Sequence, residues 1–144
     1  AALTGGGAIE APIGRHPRER TKMAVIDGGR DARTRYRVLE RFRAQTHVEV
    51  ELETGRTHQI RVHMAHIRAP LVGDPVYGGR PRLPRQATPA LRATLQGFRR
   101  QALHASRIAF AHPATRADLV FESALPEDLQ ALLAALRADA EAAR

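Results

Sequence analysis

Residues 52–64, LETGRTHQIRVHM, hold the densest run of unusual chemistry in this chain and set the pattern of its fold. Apolar and polar residues alternate up to Leu52, as in a strand, and helical spacing begins after Gly55. We therefore expect a strand, a glycine turn and a helix N-terminus in immediate succession. Such a junction presents unpaired backbone N–H groups at the positive end of the helix dipole, which attract anions.

Arg61 is the side chain in this segment whose position is most informative. It lies about 100° around the expected helix from the apolar Ile60, which places it at the edge of the core beside a cleft. A planar guanidinium there suits a carboxylate bound through two hydrogen bonds. From the residues alone, an alternative stays open: the arginines of this segment pair only with Glu51 or Glu53, as most surface charges do.

Alternation of period two predicts two antiparallel strands before this segment, over residues 33–38 and 47–53, joined by a turn at 43–46. Their outward faces would set a row of arginines beside a row of glutamates. The Gly-rich and then Arg/Pro-rich residues 1–20 show no clean period, and we expect an extended arm or loop there.

Helical spacing predicts a helix over residues 57–67 with Thr57 as its N-cap, followed by a Gly/Pro-rich loop over 71–85. A short helix then opens at Thr88 and Pro89. Residues 103–111 and 119–123 are predicted strands across a turn at 112–116, and residues 126–144 a helix with a leucine face. The predicted class is α+β, a mainly antiparallel mixed sheet flanked by helices within one domain, residues 1–144.

The basic composition indicates which class of binding partner the protein has. The formal net charge is +8, the isoelectric point is about 11.4, and the basic residues are arginines apart from Lys22. This favours a polyanion, nucleic acid above all, although codon usage in a GC-rich genome would also enrich arginine. Cysteine is absent, which excludes disulfides and thiol nucleophiles and fits a cytoplasmic protein. No apolar run reaches the ~20 residues of a membrane span, so we expect no membrane association.

Histidines at positions 58, 63 and 66 suggest a metal site only at first sight. Their spacing does not place all three on one helical face, and a catalytic zinc needs three converging ligands. We expect no metal, and assign these side chains to helix capping and polar contacts at the rim of the cleft.

Residues 52–63 resemble the C-terminal signature motif of the RluA/RluD-type pseudouridine synthases, and further segments match that family in order along the chain. The closest branch is the large-subunit ribosomal RNA enzyme of the RluD type. The matching segments are Arg15-His16-Pro17, Arg20 to Val25, Gly73 to Gly78, Gln101 to Ala105, and Ala124 to Asp128.

The resemblance implies that the protein isomerises uridine to pseudouridine in RNA, without a cofactor. In that family an aspartate attacks a flipped-out nucleotide and a tyrosine packs on its base, both from segments upstream of the signature. The residue matching Arg61 pairs with that aspartate, and the residue matching Leu103 lines the wall beside the uracil. The remaining residues expected to contact substrate or RNA are Arg15, His16, Arg18, Arg20, Lys22, Gly55, Arg56, Thr57, His58, Gln59 and His104.

The chain departs from the family in one respect: the nucleophile motif, with Arg two places before Asp and His before that Arg, does not occur in it. Asp31 follows Arg30, but the residue two places before it is Gly29, where the motif has Arg. Asp74 fits a turn cap. We therefore expect the chain alone to be inactive, as the C-terminal part of a catalytic domain whose sheet is completed upstream. An open sheet edge would then promote self-association. The alternative is a non-catalytic RNA-binding module derived from the same fold.

Overall fold

The computed structural model describes residues 3–111 and 113–144, apart from the side chain of Phe110. The α+β class is confirmed, and the described strand pairs are all antiparallel, in three small sheets of order β1-β4-β5, β2-β3 and β6-β7. The strands are β1 (Gly6–Glu10), β2 (Ile13–Arg15), β3 (Met23–Val25), β4 (Arg33–Arg41), β5 (Thr46–Leu52), β6 (Arg107–Ala111) and β7 (Asp118–Glu122). The helices are α1 (Gln59–His66), α2 (Pro89–Gly97) and α3 (Glu127–Ala142).

The hairpin of β4 and β5 confirms the predicted arginine and glutamate rows. Arg35 lies opposite Glu51 and Arg37 opposite Glu49, where the arginine Nη2 lies 3.3 Å from the carboxylate. Because the pleat alternates, Thr34 on the opposite face is fully buried. The charged face is therefore solvated, and the other face packs against the interior.

The expectation of an N-terminal arm is wrong. β1 pairs with β4 along its whole length, β2 pairs with β3, and Ile9, Ala11 and Ile13 are buried. These three residues alternate at period two, but the preceding glycines and the following arginines obscured the pattern. The segment is a structural part of the interior and lines one side of α1.

Helix α1 lies between two small apolar clusters. Met64 packs with Ile9 and Ala11, and Val62 packs with Ile13 and Ala32. Because consecutive faces of the helix are covered, polar side chains between them are drawn into the interior as well. This arrangement buries Gln59, Arg61 and His63.

A separate leucine core joins α2 and α3 and confirms both helix predictions. The Thr88 hydroxyl caps α2 by accepting from the Leu91 N–H at 3.2 Å. Each fully buried leucine contributes about 1.5–3 kcal/mol relative to exposure, so this core is the main source of stability at this end. Its buried members are Leu91, Leu95, Leu129, Leu132 and Leu136.

The last hairpin starts later than expected, since β6 begins at Arg107 and not at residue 103. Residues 103–106 form no strand in the described structure, although the Ser123 N–H donates to the Ser106 carbonyl at 2.9 Å. His112, in the predicted turn, lies outside the described residues. Among the described helices, none is both long and apolar enough to cross a bilayer.

Candidate functional site around Arg61

The turn that leads into α1 is closed by the side chain of Gln59. Its Oε1 accepts from the Arg56 N–H at 3.0 Å and from the Thr54 hydroxyl at 2.7 Å. The predicted N-cap at Thr57 is therefore wrong: Thr57 is exposed, and His58, in the left-handed region at φ 54°, precedes the first helical residue. The glutamine amide replaces the cap because it reaches back to the loop from inside the helix.

Arg61 forms a buried, two-pronged ion pair with Asp74. Nε donates to Oδ2 and Nη2 donates to Oδ1, both at 2.9 Å, and the Asp74 side chain is 0% exposed. Asp74 Oδ1 also accepts from the N–H groups of Val76 and Tyr77, which confirms the predicted turn cap. The open alternative for Arg61, a pair with Glu51 or Glu53, is not what the structure shows.

The charges of this pair reinforce each other. Burial of Asp74 alone would raise its pKa, but the hydrogen bonds from Arg61 and from the two turn N–H groups outweigh it and hold the pKa below its ordinary value. The hydrogen bonds that Arg61 donates to Asp74 raise the pKa of Arg61. Both groups are therefore ionised across the physiological range.

Tyr77 completes what we call the Arg61 cluster, namely Arg61, Asp74, Tyr77 and His58. The Arg61 guanidinium carbon lies 5.0 Å from the centre of the Tyr77 ring. The Tyr77 hydroxyl accepts from the Met23 N–H at 3.0 Å, so its proton is directed to His58 Nδ1 at 2.8 Å. Burial and the nearby Arg61 lower the pKa of His58, which suits a neutral imidazole that accepts at Nδ1.

One arm of the Arg61 guanidinium has no partner in the part of the chain that the structure describes. The bonds to Asp74 use Nε and Nη2, and Nη1 makes none there. The residue is nevertheless only 9% exposed. An oriented, buried cation with an unused pair of donors can bind a second carboxylate.

A buried polar chain holds α1 behind this cluster. His63 Nε2 donates to the Ala11 carbonyl at 2.9 Å, so Nδ1 accepts from the Thr34 hydroxyl at 2.7 Å. That hydroxyl in turn accepts from Gln59 Nε2 at 2.9 Å. His63 is 0% exposed, which corrects its predicted place at a cleft rim. No group of three metal-ligating side chains occurs among the described residues.

The basic segment predicted to touch RNA, residues 15–22, comprises the last residue of β2 and the connection to β3, residues 16–22, here named the β2–β3 loop. His16 Nδ1 accepts from the N–H groups of Arg18 and Glu19, so His16 shapes the loop from within. Lys22 pairs with Glu19 at 2.8 Å. Arg18 and Arg20 are exposed and their guanidinium groups have no partner among the described residues.

Two of the remaining expected contacts, Arg56 and Arg15, donate to backbone carbonyls of neighbouring loops. The Arg56 Nε donates to the Asp31 carbonyl at 2.8 Å, and Arg15 donates to the Arg20 carbonyl at 2.6 Å. Both arginines therefore support loop backbones. Gly55 is exposed, and nothing lies within 4 Å of the position its Cβ would take, so the turn is open to an approaching ligand.

Leu103 and His104, the last two expected contacts, are located by hydrogen bonds of their stretch of chain and not by a contact with the Arg61 cluster. Ala102, next to Leu103, donates its N–H to the Val72 carbonyl at 2.8 Å, which ties this stretch to the chain just before Asp74. His104 Nε2 donates to the Ser123 carbonyl at 3.2 Å and so holds the last hairpin. Sequence reasoning missed Asp74 and Tyr77 as members of the site, although the segment from Gly73 to Gly78 that carries them was recognised.

The chain is similar in sequence to a known protein family and to several named proteins. The family model for RNA pseudouridylate synthase matches residues 3–66, which include β1, β4, β5 and α1. The ribosomal large subunit pseudouridine synthase D of Pseudomonas aeruginosa is 61% identical over 140 residues, and that of Xanthomonas campestris is 59% identical over 138. The Escherichia coli (strain K12) protein of the same description is 52% identical over 139 residues.

Over nearly its whole length the chain is similar to proteins named as pseudouridine synthases. The three relatives are matched over 96–97% of this chain but over only 42–44% of their own length. The chain thus spans less than half of the curated relatives that it resembles.

Two solved structures of the family share the fold. Human RNA pseudouridylate synthase domain containing 4 superposes with a TM-score of 0.66 at 24% identity, over 92% of this chain and 57% of that one. Human RNA pseudouridylate synthase domain containing 1 gives 0.63 at 23% identity, over 96% and 62%. These likenesses support the α+β assignment.

Proposed function

We propose that this chain is the C-terminal part of the catalytic domain of an RNA pseudouridine synthase that isomerises uridine in large-subunit ribosomal RNA in the cytoplasm. The observation that carries the proposal is the buried Arg61, which Asp74 and Tyr77 hold in place and whose Nη1 has no partner among the described residues. The relatives named for this activity on the large ribosomal subunit support it.

In this proposal Arg61 pairs with a nucleophilic aspartate supplied from outside these residues. A carboxylate in a buried site without a cation has a raised pKa and is a weaker nucleophile when protonated, and an adjacent guanidinium reverses that. Asp74 is not this nucleophile. Its oxygens already accept four hydrogen bonds, and its side chain is fully buried.

The RNA is bound, in this proposal, by the exposed arginines near the cluster. Extruding a nucleotide from a helix costs a few kcal/mol, which contacts to the flanking phosphates offset. Arg18 and Arg20 on the β2–β3 loop suit such contacts because no acidic partner occupies them among the described residues. Leu103, Gly55 and the start of α1 would face the nucleotide itself.

The test is isomerisation by the longer protein that contains this chain. Isomerisation breaks the N1–C1′ bond of uridine and forms a C5–C1′ bond, so N1 gains a proton and C5 releases its hydrogen to solvent. Tritium release from large-subunit RNA labelled at uridine C5 therefore reports the reaction. We expect release with the longer protein and none with residues 1–144 alone. Isomerisation by residues 1–144 alone would contradict the proposed role of an external aspartate.

A non-catalytic RNA-binding module is the alternative, and the same experiment separates the two. A module would bind the RNA without releasing tritium, and its upstream sequence would lack an aspartate in an Arg-x-Asp setting. For the isolated chain we also expect self-association, since β1 and β5 are the outer strands of their sheet in the described structure.

A further inference from the structure

Residues 79–86, GRPRLPRQ, lie largely within the predicted Gly/Pro-rich loop and outside the Arg61 cluster, and we call them the arginine loop. It contains three arginines, two prolines and no acidic residue. Arg80, Arg82 and Arg85 are exposed, and their guanidinium groups have no hydrogen bond or ion pair within the described residues. This distinguishes them from Arg33, Arg35 and Arg37 of β4, which pair with glutamates.

The backbone of the arginine loop, in contrast, is firmly held. The Gln45 side-chain amide donates to the Arg82 carbonyl, and Arg43 Nη2 donates to the Arg85 carbonyl. Arg43 is itself fixed by the buried Asp139, whose oxygens lie 3.1 and 3.2 Å from Nη1. Leu83 packs against the leucine core. The two prolines restrict the backbone further, because each fixes one of its dihedral angles.

The arginine loop therefore combines a fixed backbone with guanidinium groups that have no partner among the described residues. Arg80 and Arg85 are five residues apart, so their Cα atoms lie within about 18 Å. An anion with several charges that lies along the loop can therefore contact all three arginines. Because the loop is ordered beforehand, little backbone entropy is lost when that anion binds.

The position of the loop connects it with the Arg61 cluster. It follows Tyr77 by two residues, and the Gly78 N–H donates to the Asp74 carbonyl at 3.1 Å. The Tyr77 hydroxyl also binds the Met23 N–H, at the end of the β2–β3 loop. Two basic loops are therefore anchored to the same cluster from different parts of the chain.

We propose that the arginine loop is a second RNA-backbone contact surface, whose arginines bind phosphates of the RNA strand that presents its nucleotide to the Arg61 cluster. This inference rests on the proposed function for the identity of the RNA. A basic loop that merely raises solubility would not need its backbone fixed by Gln45, Arg43 and Leu83.

The experiment measures how RNA affinity depends on salt in the longer protein that contains this chain. The probe is a transcript of large-subunit ribosomal RNA, and the variant is R80Q/R82Q/R85Q. The control, R92Q/R99Q/R144Q, removes the same charge from arginines that are exposed and without an ion pair in the described structure. Thermal unfolding of both variants checks that the fold is intact.

We expect the slope of log affinity against log salt to fall in magnitude by about 2–3 for the loop variant, or roughly 0.7–0.9 for each lost phosphate contact. At physiological salt this corresponds to a loss of about 100-fold in affinity. At saturating RNA the rate of isomerisation should be retained, because the arginines do not touch the reacting atoms.

An unchanged slope in the loop variant would overturn the inference, and so would an equal change in the control, which would mean a general effect of net charge. The proposed function fails in a different way, since the wild-type protein would then bind the transcript without isomerising uridine. A loop variant that binds normally but isomerises slowly would also overturn the inference.

Discussion

Removing the Arg61 side chain should leave a buried carboxylate without its cation, and this gives the sharpest test of the site's architecture. In Arg61→Met, Asp74 loses two of its four hydrogen bonds and the charge that holds its pKa down. Breaking a buried pair in this way costs about 3–5 kcal/mol. The contact with the Tyr77 ring adds about 0.5–1 kcal/mol.

The double variant R61M/D74N separates the cost of the buried charge from the cost of lost packing. Asparagine is neutral and keeps an oxygen for the N–H groups of Val76 and Tyr77, so the turn survives. We expect the double variant to regain more than half of the stability that the single variant loses, since replacing both charges of a buried pair is often close to neutral.

Urea unfolding followed by far-ultraviolet circular dichroism measures these differences. The matched control is Arg37→Met, because Arg37 is exposed and pairs with Glu49 at the surface. That change should cost less than about 1 kcal/mol. A loss of stability in R61M no larger than that in R37M would show that the buried pair does not stabilise the fold, and so would an R61M/D74N variant no more stable than R61M.

Three further predictions concern the buried hydrogen-bond chain of Gln59, Thr34 and His63 and the turn at Gly73. Burial lowers the pKa of His63, so the unfolded chain takes up its proton first. Stability should therefore fall as pH drops below about 6.5, by up to about 1.4 kcal/mol per pH unit. His63→Gln should flatten this dependence in pH-resolved urea unfolding, and an equal slope in the variant would contradict it. Thr34→Val leaves His63 Nδ1 without its donor and should lower the free energy of unfolding by about 1–3 kcal/mol. A loss below about 0.3 kcal/mol would show that this hydrogen-bond chain does not stabilise the protein. Gly73→Ala should be severely destabilising in thermal unfolding, because φ is +75° and the new Cβ would lie 2.2 Å from a backbone oxygen. Gly97→Ala, with nothing within 4 Å, should be neutral or stabilising by up to about 1 kcal/mol, and equal effects at both glycines would refute this account.

The parts of the fold that sequence predicted well are those where a local pattern and its packing agree. The alternation in β4 and β5, the Thr88 cap of α2 and the leucine face of α3 each follow from neighbouring residues. Each was confirmed because the local preference and the tertiary contacts favour the same structure.

The predictions that failed depended on distant contacts. Thr57 has the chemistry of an N-cap, but Gln59 reaches back to the loop and closes it instead. The pairing of β1 with β4 brings together residues more than twenty positions apart, and the glycines of β1 give no periodic signal. Local spacing does not contain this information.

The candidate site was predicted in part for the same reason. The burial of Arg61 at the edge of the core followed from its position beside Ile60. Its partner Asp74 lies thirteen residues away across a loop, so the pair depends on how that loop returns to the helix. The residue types of the segment from Gly73 to Gly78 were recognised, but their geometry was available only from the structure.

We propose that Arg61 holds a carboxylate supplied from outside this chain, and single-turnover isomerisation by the longer protein measures the effect of that contact on the reaction. R61M/D74N is the decisive variant because its fold is expected to survive, with D74N as the control for the loss of Asp74. We predict that R61M/D74N isomerises uridine at least about 100-fold more slowly than D74N, the cost of a misplaced reacting group. Equal rates in the two folded variants would contradict the claim.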